Sequence, residues 1–535
     1  MNAFVQRHAS NVIGILSGFD RLLFRGTLRR LANVSGLLSY MSAASVLLKD
    51  FKDHSMDLTE QIKQASVGVA EAAARPVQYL TDASIRKEEV AKSIVKRDKI
   101  ENGLICVLSA VEPCFSYEIH RNAATRLLEL RSIRRRCLHL YHYMIHPQLG
   151  FCHVRVQTWL PFNMYVCVNG REILARQMDL AGMGYRRKEN CFVNLSDVAG
   201  AQALMDQQLT TNWGSLLDSV AALANPAQGK LFGPRSRCPI DPYWSVQQSE
   251  WATDVMFKKP RMLAGLYPQL IRHGMESLGS PDVLRFLGKH VPEGRNAHGN
   301  FTGEVITDLK DRPEGIRIKH AVNANSIKMY DKQASVCRVE TTINDPADFK
   351  VLRLAGDNAE PDAKPKWLPM RKGVADLHRR AEVSQKANER YLEAMAAVEQ
   401  STPLKDLAEL CKPVTMKQPA GKRSAGKGQR VRALNPMSIE DANLMQAAAR
   451  GEFTINGFRN RDIRELLCGK DPADKTQTRR RSAAVGRKLR LLRAHGLIRK
   501  VPKTHRYQVS DKGRNVITAL LTARAATTAA LSNAA

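Results

Sequence analysis

The chain has 535 residues, with 82 Lys and Arg against 52 Asp and Glu, and a formal net charge of +30 at pH 7. This length predicts two to four domains with a sizeable core, and so positive a charge favours a polyanionic partner such as nucleic acid. Ten cysteines occur without a C-x-x-C pair, which argues against a zinc ribbon or a disulfide framework. No apolar run reaches the roughly 18 residues of a membrane span, and no secretory leader is evident. We therefore expect a cytoplasmic protein with no membrane partner.

The predicted elements fall into five successive regions. Residues 1–100 are mostly helical, with an apparent strand at SGFDRLLFRGTL. From 101 to 400, short β-branched and aromatic runs alternate with helical intervals, which predicts an α/β core with antiparallel strands. Residues 412–436 are basic, contain Pro and Gly and have little to bury, so a flexible linker is expected there. A basic module at 437–520 and a frayed tail at 521–535 complete the chain.

Four carboxylates in the first 400 residues are candidate metal ligands. Asp20 stands near the beginning of an apparent strand, as the first catalytic carboxylate of ribonuclease-H-like nucleases does. Glu250 and Asp254 are four residues apart and would share one face of a helix. Together with Glu340 they could form a cluster for two-metal phosphodiester chemistry. Ion pairs with the abundant arginines are the alternative.

A hairpin that turns near Gln333 is predicted between residues 326 and 344, because apolar and polar residues alternate on both of its strands. The apolar set is expected to be buried: Ile327, Met329, Cys337 and Val339. The polar set is expected on one solvent-reachable face: Lys328, Tyr330, Arg338 and Glu340. Such a face could bind a phosphodiester backbone through Lys328 and Arg338, or one metal ion. A solvated hairpin with ordinary cross-strand pairs is the alternative.

The same hairpin resembles a strand pair of the replication initiators of small plasmids and filamentous phages, through Tyr330-Asp331-Lys332 followed by Arg338-Val339-Glu340. Those proteins nick one DNA strand with a tyrosine, aided by a divalent metal, on an antiparallel sheet. The resemblance implies that Glu340 is a catalytic, metal-proximal carboxylate and that Lys328 or Lys332 contacts a phosphate. It also implies Mg²⁺ or Mn²⁺ as the cofactor and a tyrosine nucleophile. Tyr391 is the best placed by chain order, with helix packing as its alternative role. The paired histidines of one nickase class are missing.

The segment from 438 to 517 resembles a winged helix of the type found in MarR-family regulators. Three helical runs precede two β-like runs joined by Pro502-Lys503-Thr504-His505, and 14 Lys or Arg stand against three Asp between residues 471 and 514. This density suits a helix and wing that lie on phosphates, and a protein–protein module is the alternative. The residues expected at DNA in the third helix are Arg479, Arg480, Arg481, Arg487 and Lys488. Those expected in or beside the wing are Arg499, Lys500, Lys503 and Arg506.

The fold class predicted from these patterns is α+β: a central antiparallel-sheet core with surrounding helices, a basic linker and a C-terminal winged helix-turn-helix. The first functional hypothesis is a DNA-binding protein of a bacterial mobile or plasmid-like element, associated with the nucleoid. The second is a metal-dependent nickase, transposase or replication initiator, and the third is a large winged-helix transcriptional regulator. Duplex DNA is the expected partner, with RNA as the alternative. The whole chain also resembles a bacterial family without an assigned function.

Overall fold

The computed structural model describes most of the chain. The described residues are 2–82, 84–289, 304–312, 315–355, 365–396, 409–416, 429–435, 438–450, 453, 457–502 and 504–525. The fold class is α+β, as predicted, since helices accompany a large mixed sheet. Among the described residues, no helix is both long and apolar enough to cross a membrane.

Fifteen α-helices are found in the described part of the chain. They are α1 (Ala3–Arg7), α2 (Val34–Ala43), α3 (Phe51–Ala72), α4 (Lys87–Asp98), α5 (Gly170–Leu180), α6 (Val198–Gln207), α7 (Trp213–Ala224), α8 (Pro226–Phe232), α9 (Pro260–Glu276), α10 (Ser280–Phe286), α11 (Leu377–Met395), α12 (Ile439–Ala448), α13 (Asn460–Cys468), α14 (Lys475–Ala494) and α15 (Asp511–Ala525).

The same residues contain twenty strands. They are β1 (Val12–Leu28), β2 (Val77–Tyr79), β3 (Gly103–Arg121), β4 (Leu128–His146), β5 (Gly150–Gln157), β6 (Met164–Asn169), β7 (Tyr185–Lys188), β8 (Cys191–Leu195), β9 (Pro242–Phe257), β10 (Val305–Lys310), β11 (Arg317–Val322), β12 (Asn325–Lys332), β13 (Val336–Ile343), β14 (Lys350–Arg353), β15 (Lys366–Pro369), β16 (Val414–Met416), β17 (Gln429–Val431), β18 (Phe458–Arg459), β19 (Ile498–Lys500) and β20 (Arg506–Val509).

The chain divides into two compact units, each built from separated segments. The first unit comprises residues 1–13, 257–339 and 386–535, and the second comprises 14–256 and 340–385. The boundary predicted between residues 100 and 101 lies inside the second unit, because β1 pairs with β6 across it. A purely local change in sequence pattern cannot reveal such a pairing, since its partners are more than a hundred residues apart.

The second unit contains most of the large sheet. Its strands follow the order β13-β9-β1-β6-β5-β4-β3-β2, with residues 340–343 of β13 at one end. The strands from β1 to β3 pair antiparallel, as predicted, but β2 pairs parallel to β3 and makes the sheet mixed. One face packs against helices in a core that includes Leu22, Phe24, Val154, Val166 and Trp213.

The predicted hairpin is present as β12 and β13, and its turn lies where expected. Gln333 and Ala334 both have positive φ, 58° and 55°, as the tight turns that best join antiparallel strands require. The predicted apolar set is fully buried. The prediction of a solvent-reachable polar face was wrong: Arg338 is 0% and Glu340 1% exposed, and only Lys328 is half-buried. Every residue of β13 is buried, so it is an interior strand covered on both sides.

The C-terminal segment from 409 to 525 has its own hydrophobic core. Its elements follow the order α12, β18, α13, α14, β19, β20 and α15, and β20 lies between β18 and β19 in a small antiparallel sheet. The core includes Leu444, Ile463, Leu489 and Leu492, together with Leu434 from the segment predicted as linker.

The predicted linker and tail both contain regular structure at their described ends. Within 412–436, β16 pairs antiparallel with β17; residues 417–428 and 436 lie outside the described part. Within 521–535, α15 continues to Ala525, and residues 526–535 lie outside the described part. A flexible linker is thus a prediction only for residues between β16 and β17.

Candidate metal centre

Three carboxylates from distant parts of the sequence meet in the second unit. Asp20 on β1, Glu250 on β9 and Glu340 on β13 each offer an oxygen, and these oxygens all lie within 4.8 Å of one another. Asp20 is 4% and Glu340 1% exposed, while Glu250 is half-buried. We call these three residues the carboxylate cluster. Three of the four predicted metal ligands therefore come together.

Neighbouring strands bring the cluster together. The strand order β13-β9-β1 places the three carboxylates on adjacent strands. The Ser17 and Thr253 hydroxyls are 3.1 Å apart, and the rings of Phe19 and Trp251 are 4.8 Å apart. These contacts fix the register of β1 against β9, because a shift of one residue would turn every side chain to the other face. Asp20 and Glu250 are held opposite each other by this packing.

Two asparagines hold the Asp20 carboxylate. The Asn190 side chain donates to both oxygens of Asp20, at 3.0 and 3.1 Å, and the Asn169 amide donates to one oxygen at 3.4 Å. Asn169 also caps α5, accepting from the backbone N–H of Arg171 at 2.8 Å. The cap fixes which side of the Asn169 amide faces Asp20. These hydrogen bonds fix the orientation of the Asp20 carboxylate, as hydrogen bonds to a metal ligand commonly do.

A buried arginine ties together the strands that carry the two glutamates. Arg380 on α11 donates to the Ser249 hydroxyl and the Ile343 carbonyl, each at 3.2 Å, and to the Val246 carbonyl at 2.8 Å. Burial lowers the pKa of Arg380 to about 10, which still leaves the guanidinium charged at neutral pH. The planar guanidinium of Arg380 links the part of β9 next to Glu250 to the end of β13, and so stabilises the positions of Glu250 and Glu340.

Asp254, the fourth predicted ligand, has a structural role instead. Its carboxylate accepts from Arg171 at 3.2 Å, and the two side chains are 1% and 0% exposed. The prediction assumed a helix, in which Glu250 and Asp254 share a face, but residues 242–257 form β9. Arg171 also donates to the Ala252 carbonyl at 3.1 Å. This ion pair braces the strand and leaves Asp254 outside the cluster.

The cluster has the chemistry of a site for a hard divalent cation. Mg²⁺ and Mn²⁺ prefer carboxylate oxygens, and Mg²⁺ is often held by few carboxylates and by water. Three carboxylates at these distances repel one another when ionised, and a cation between them removes that repulsion. Glu250 is half-buried, so the cluster reaches solvent through this residue. The three carboxylates have the chemistry to hold one hard divalent cation.

Tyr391 lies in the core of the first unit. Its side chain is 0% exposed, its hydroxyl is 3.3 Å from His320 Nε2, and its ring packs on Phe286. Burial raises the pKa of Tyr391 above its ordinary value, which opposes formation of a phenolate. Burial also lowers the pKa of His320 to about 4, so that histidine is neutral. These surroundings match the alternative role of helix packing.

The two cations predicted at DNA from the hairpin are not equally placed. Arg338 is fully buried, and its guanidinium lies 6.0 Å from the centre of the Tyr330 ring. Lys328 is half-buried. Lys332, the alternative phosphate contact, is buried with its ammonium 5.7 Å from the same ring. Arg338 is therefore not accessible to a phosphodiester backbone.

The predicted contacts of the C-terminal module divide into exposed and engaged residues. Lys488 pairs with Glu440 at 2.9 Å, Arg481 donates to the backbone carbonyls of Cys468 and Lys470 at the end of α13, and Arg506 donates to the Gly457 carbonyl at 3.3 Å. Lys503 lies outside the described residues. The exposed members of the predicted set are Arg479, Arg480, Arg487, Arg499 and Lys500. Sequence reasoning omitted the exposed Arg490, which lies three residues after Arg487 and therefore on the same side of α14.

The sequence reasoning also missed the residues that support the cluster. Asn169 had a local signal, because an Asn before a helical run is typical of a helix N-cap. Asn190 and Arg380 had none, since their partners are distant in the chain. No protein-family model, curated protein or solved structure matches this chain. The function is therefore argued from the residues and geometry of the site.

Proposed function

We propose that this protein is a divalent-metal-dependent enzyme that cleaves a DNA strand, with a C-terminal winged helix that binds duplex DNA. The observation that carries the catalytic part is the convergence of Asp20, Glu250 and Glu340 from three strands, with oxygens within 4.8 Å of one another. Burying two of three such carboxylates is costly for a structural purpose alone. A cation-binding role accounts for this cost.

The proposed chemistry is hydrolysis at a phosphodiester. Asp20, Glu250 and Glu340 would hold the divalent cation, which would supply Lewis-acid activation of the phosphodiester and of water. Hydrolysis adds water across one P–O bond and leaves a phosphate on one side of the nick and a hydroxyl on the other. Water is preferred to a tyrosine as the nucleophile, because Tyr391 is fully buried and its pKa is raised. This distinguishes the proposal from the mechanism implied by the resemblance to replication initiators.

The DNA-binding part is supported by the C-terminal segment. The order of α12, β18, α13, α14 and the β19–β20 hairpin supports the proposal of a winged helix. Arg479, Arg480 and Arg487 are exposed along α14, the helix expected in the major groove. An overall charge of +30 adds long-range attraction to a polyanion.

The test measures nicking of supercoiled plasmid by the full chain with Mn²⁺ or Mg²⁺, and with EDTA. We expect metal-dependent nicking that Glu340→Gln and Asp20→Asn each abolish, because each removes a charged ligand. Glu60→Gln is the matched control: Glu60 lies on α3 with an exposed side chain, and its variant should nick like the parent.

Titration calorimetry with Mn²⁺ separates metal binding from turnover. The parent should bind Mn²⁺, and Glu340→Gln should bind it much more weakly. Nicking that persists undiminished in Glu340→Gln would refute the catalytic proposal. Duplex binding without any Mn²⁺ binding would leave a DNA-binding protein, for which the transcriptional-regulator hypothesis would be the better description.

A further inference from the structure

In the second unit, β3 and β4 continue past the rest of the sheet as a two-stranded ribbon. The β4–β5 pairing covers residues 139–146 of β4, and the β2–β3 pairing covers residues 107–109 of β3. Residues 111–121 and 128–138 extend beyond these pairings and pair with each other. At about 3.3 Å per residue, this extension is roughly 36 Å long. We call these two segments the ribbon.

The ribbon carries a dense group of exposed cations. Between residues 113 and 136, six Arg stand against two Glu. Four of these arginines fall within six residues of β4, and all four are exposed: Arg131, Arg134, Arg135 and Arg136. We call these four residues the ribbon arginines. Their density makes this part of the second unit strongly positive.

The ribbon arginines occupy both faces of the ribbon. Successive residues of a strand point to opposite faces, so Arg134 and Arg136 share one face, and Arg131 and Arg135 share the other. The pairing is continuous along residues 111–121 of β3, so this alternation holds along the whole ribbon. A partner that contacts all four arginines must therefore offer negative charge to both faces.

Most of this positive charge has no carboxylate beside it. Within the described residues, the ion pairs of the ribbon arginines are limited to Arg131 with Glu118, at 2.5 Å. Arg135 lies instead on the Trp159 ring, with its guanidinium carbon 5.0 Å from the ring centre. Like charges held so close repel one another, and a polyanion along the ribbon would remove that repulsion.

The ribbon is anchored to the rest of the second unit, so its arginines are held in place. Tyr117 is buried and donates its hydroxyl to the Leu31 carbonyl at 2.9 Å. The Gln157 amide donates to the Phe115 carbonyl at 3.1 Å, and Leu130 packs in the core of the unit. A surface that is already ordered loses less conformational freedom when it binds a partner.

We propose that the ribbon arginines bind the phosphates of duplex DNA, with the ribbon lying in a groove. This inference rests on the proposed DNA partner and adds a second duplex contact, in the second unit, to that of α14. A two-stranded ribbon fits the major groove. Phosphates border a groove on both sides, where arginines from both faces of the ribbon can reach them. Such contacts give affinity and position without reading the sequence directly.

The aromatic rings of this region favour a duplex over an unpaired strand. Sites for single strands stack successive bases on aromatic rings. Here the Trp159 ring carries Arg135, and Tyr117 is 0% exposed. Phe115 is 40% exposed, and its ring packs against that of Tyr117 with the centres 5.3 Å apart. One partly open ring is a small platform for bases, whereas a duplex keeps its bases stacked and presents its phosphates.

The experiment measures binding of a fluorescein-labelled duplex to the full chain by anisotropy, in EDTA so that no strand is cut. The background carries Arg480→Glu and Arg487→Glu, so that the C-terminal module contributes little. Adding Arg134→Ala and Arg136→Ala should weaken binding about tenfold. The slope of log affinity against log salt should fall by about 1.8, since each lost phosphate contact on B-DNA is worth about 0.9.

Matched variants keep the result interpretable. Lys96→Ala with Arg97→Ala removes two exposed cations of α4 and changes the net charge by the same amount. This pair should leave duplex affinity almost unchanged. Arg134→Lys with Arg136→Lys keeps both charges and should retain most of the salt slope. Circular dichroism of each variant checks that the fold is intact.

The outcomes separate this inference from the proposed function. Unchanged duplex affinity in the alanine pair, or an equal loss in the α4 control, would overturn the inference even if Mn²⁺ binding and nicking persist. A background variant that no longer binds duplex at low salt would also overturn it, because the ribbon would then hold no DNA by itself. A larger loss for oligo(dT) than for the duplex would overturn the assignment to a duplex. Weaker duplex binding by the alanine pair of a protein that binds no Mn²⁺ would uphold the ribbon and remove the enzyme.

Discussion

The C-terminal segment and the carboxylate cluster show two different relations between sequence and site. In the segment 409–525, each helix and strand packs on elements that follow within about a hundred residues. In the cluster, Asp20 meets Glu250 and Glu340, which are hundreds of residues away. Local sequence periodicity therefore predicts the elements of the segment 409–525 well, whereas the carboxylate cluster forms only through the pairing of distant strands.

This difference changes how each candidate residue should be judged. In α14, exposure follows from helical spacing, so Arg480 and Arg487 could be placed at a surface from the sequence. In the sheet, the role of a carboxylate depends on the side chains that other strands and helices place beside it. Glu250 and Asp254 lie on the same strand, yet one joins a cluster and the other joins an ion pair with Arg171.

The largest expected effect separates these two carboxylates by stability. Asp254→Asn leaves the Arg171 charge buried without its carboxylate, and we expect it to lower the free energy of unfolding by about 3–5 kcal/mol. Asp20→Asn instead removes one of three mutually repelling charges, so in EDTA its effect should stay within about 1 kcal/mol. Urea denaturation of both variants measures the difference. Equal destabilisation would mean that Asp20 is as structural as Asp254.

A smaller effect concerns the boundary of the C-terminal module. The predicted fragment 437–520 omits Leu434, which lies in the core of the segment, and Arg432. The Arg432 guanidinium donates to both carboxylate oxygens of Asp441, at 2.7 and 2.6 Å. We expect the fragment 409–525 to be more stable by about 2–3 kcal/mol, because hydrogen bonds to charged groups contribute about that much. Thermal denaturation of both fragments tests this. Equal midpoints would show that residues 409–436 do not belong to the folded module.

The sequence predicted elements better than surfaces. The hairpin, its turn and its apolar set were predicted correctly, since a two-residue period is a local property. The prediction that its polar set is exposed was wrong, because the sequence of one strand does not show whether the strand lies inside a sheet. Arg338 and Glu340 are buried because β13 is an interior strand. Asp20 was selected by its place in a strand, but Asn190 and Arg380 could not be, since nothing near them in sequence indicates their partners.

A further test addresses the predicted DNA surface of the C-terminal module. Arg480→Glu with Arg487→Glu should lower duplex affinity at least tenfold and reduce the salt slope by about 1.8, at about 0.9 per lost phosphate contact. The control variant carries Lys49→Glu and Lys52→Glu, which reverse the charges of two exposed residues of the second unit. It changes the net charge by the same amount as Arg480→Glu with Arg487→Glu. Equal losses in the two pairs would mean that the total charge, and not α14, governs binding.

The smallest expected effect is a pH dependence in the same module. The hydrogen bond from Arg432 holds the pKa of Asp441 below its usual range. A carboxyl group with a depressed pKa in the folded state stabilises that state above its unfolded pKa, about 3.9, and the stabilisation is lost as pH falls further through the folded value. Arg432→Gln should therefore lower the stability of 409–525 at pH 7 but have progressively less effect as the pH falls below 4. Urea denaturation from pH 7 to pH 3 measures the gap between parent and variant. A gap that stays constant with pH would show that Arg432 stabilises the module by packing alone, without its charge contact to Asp441.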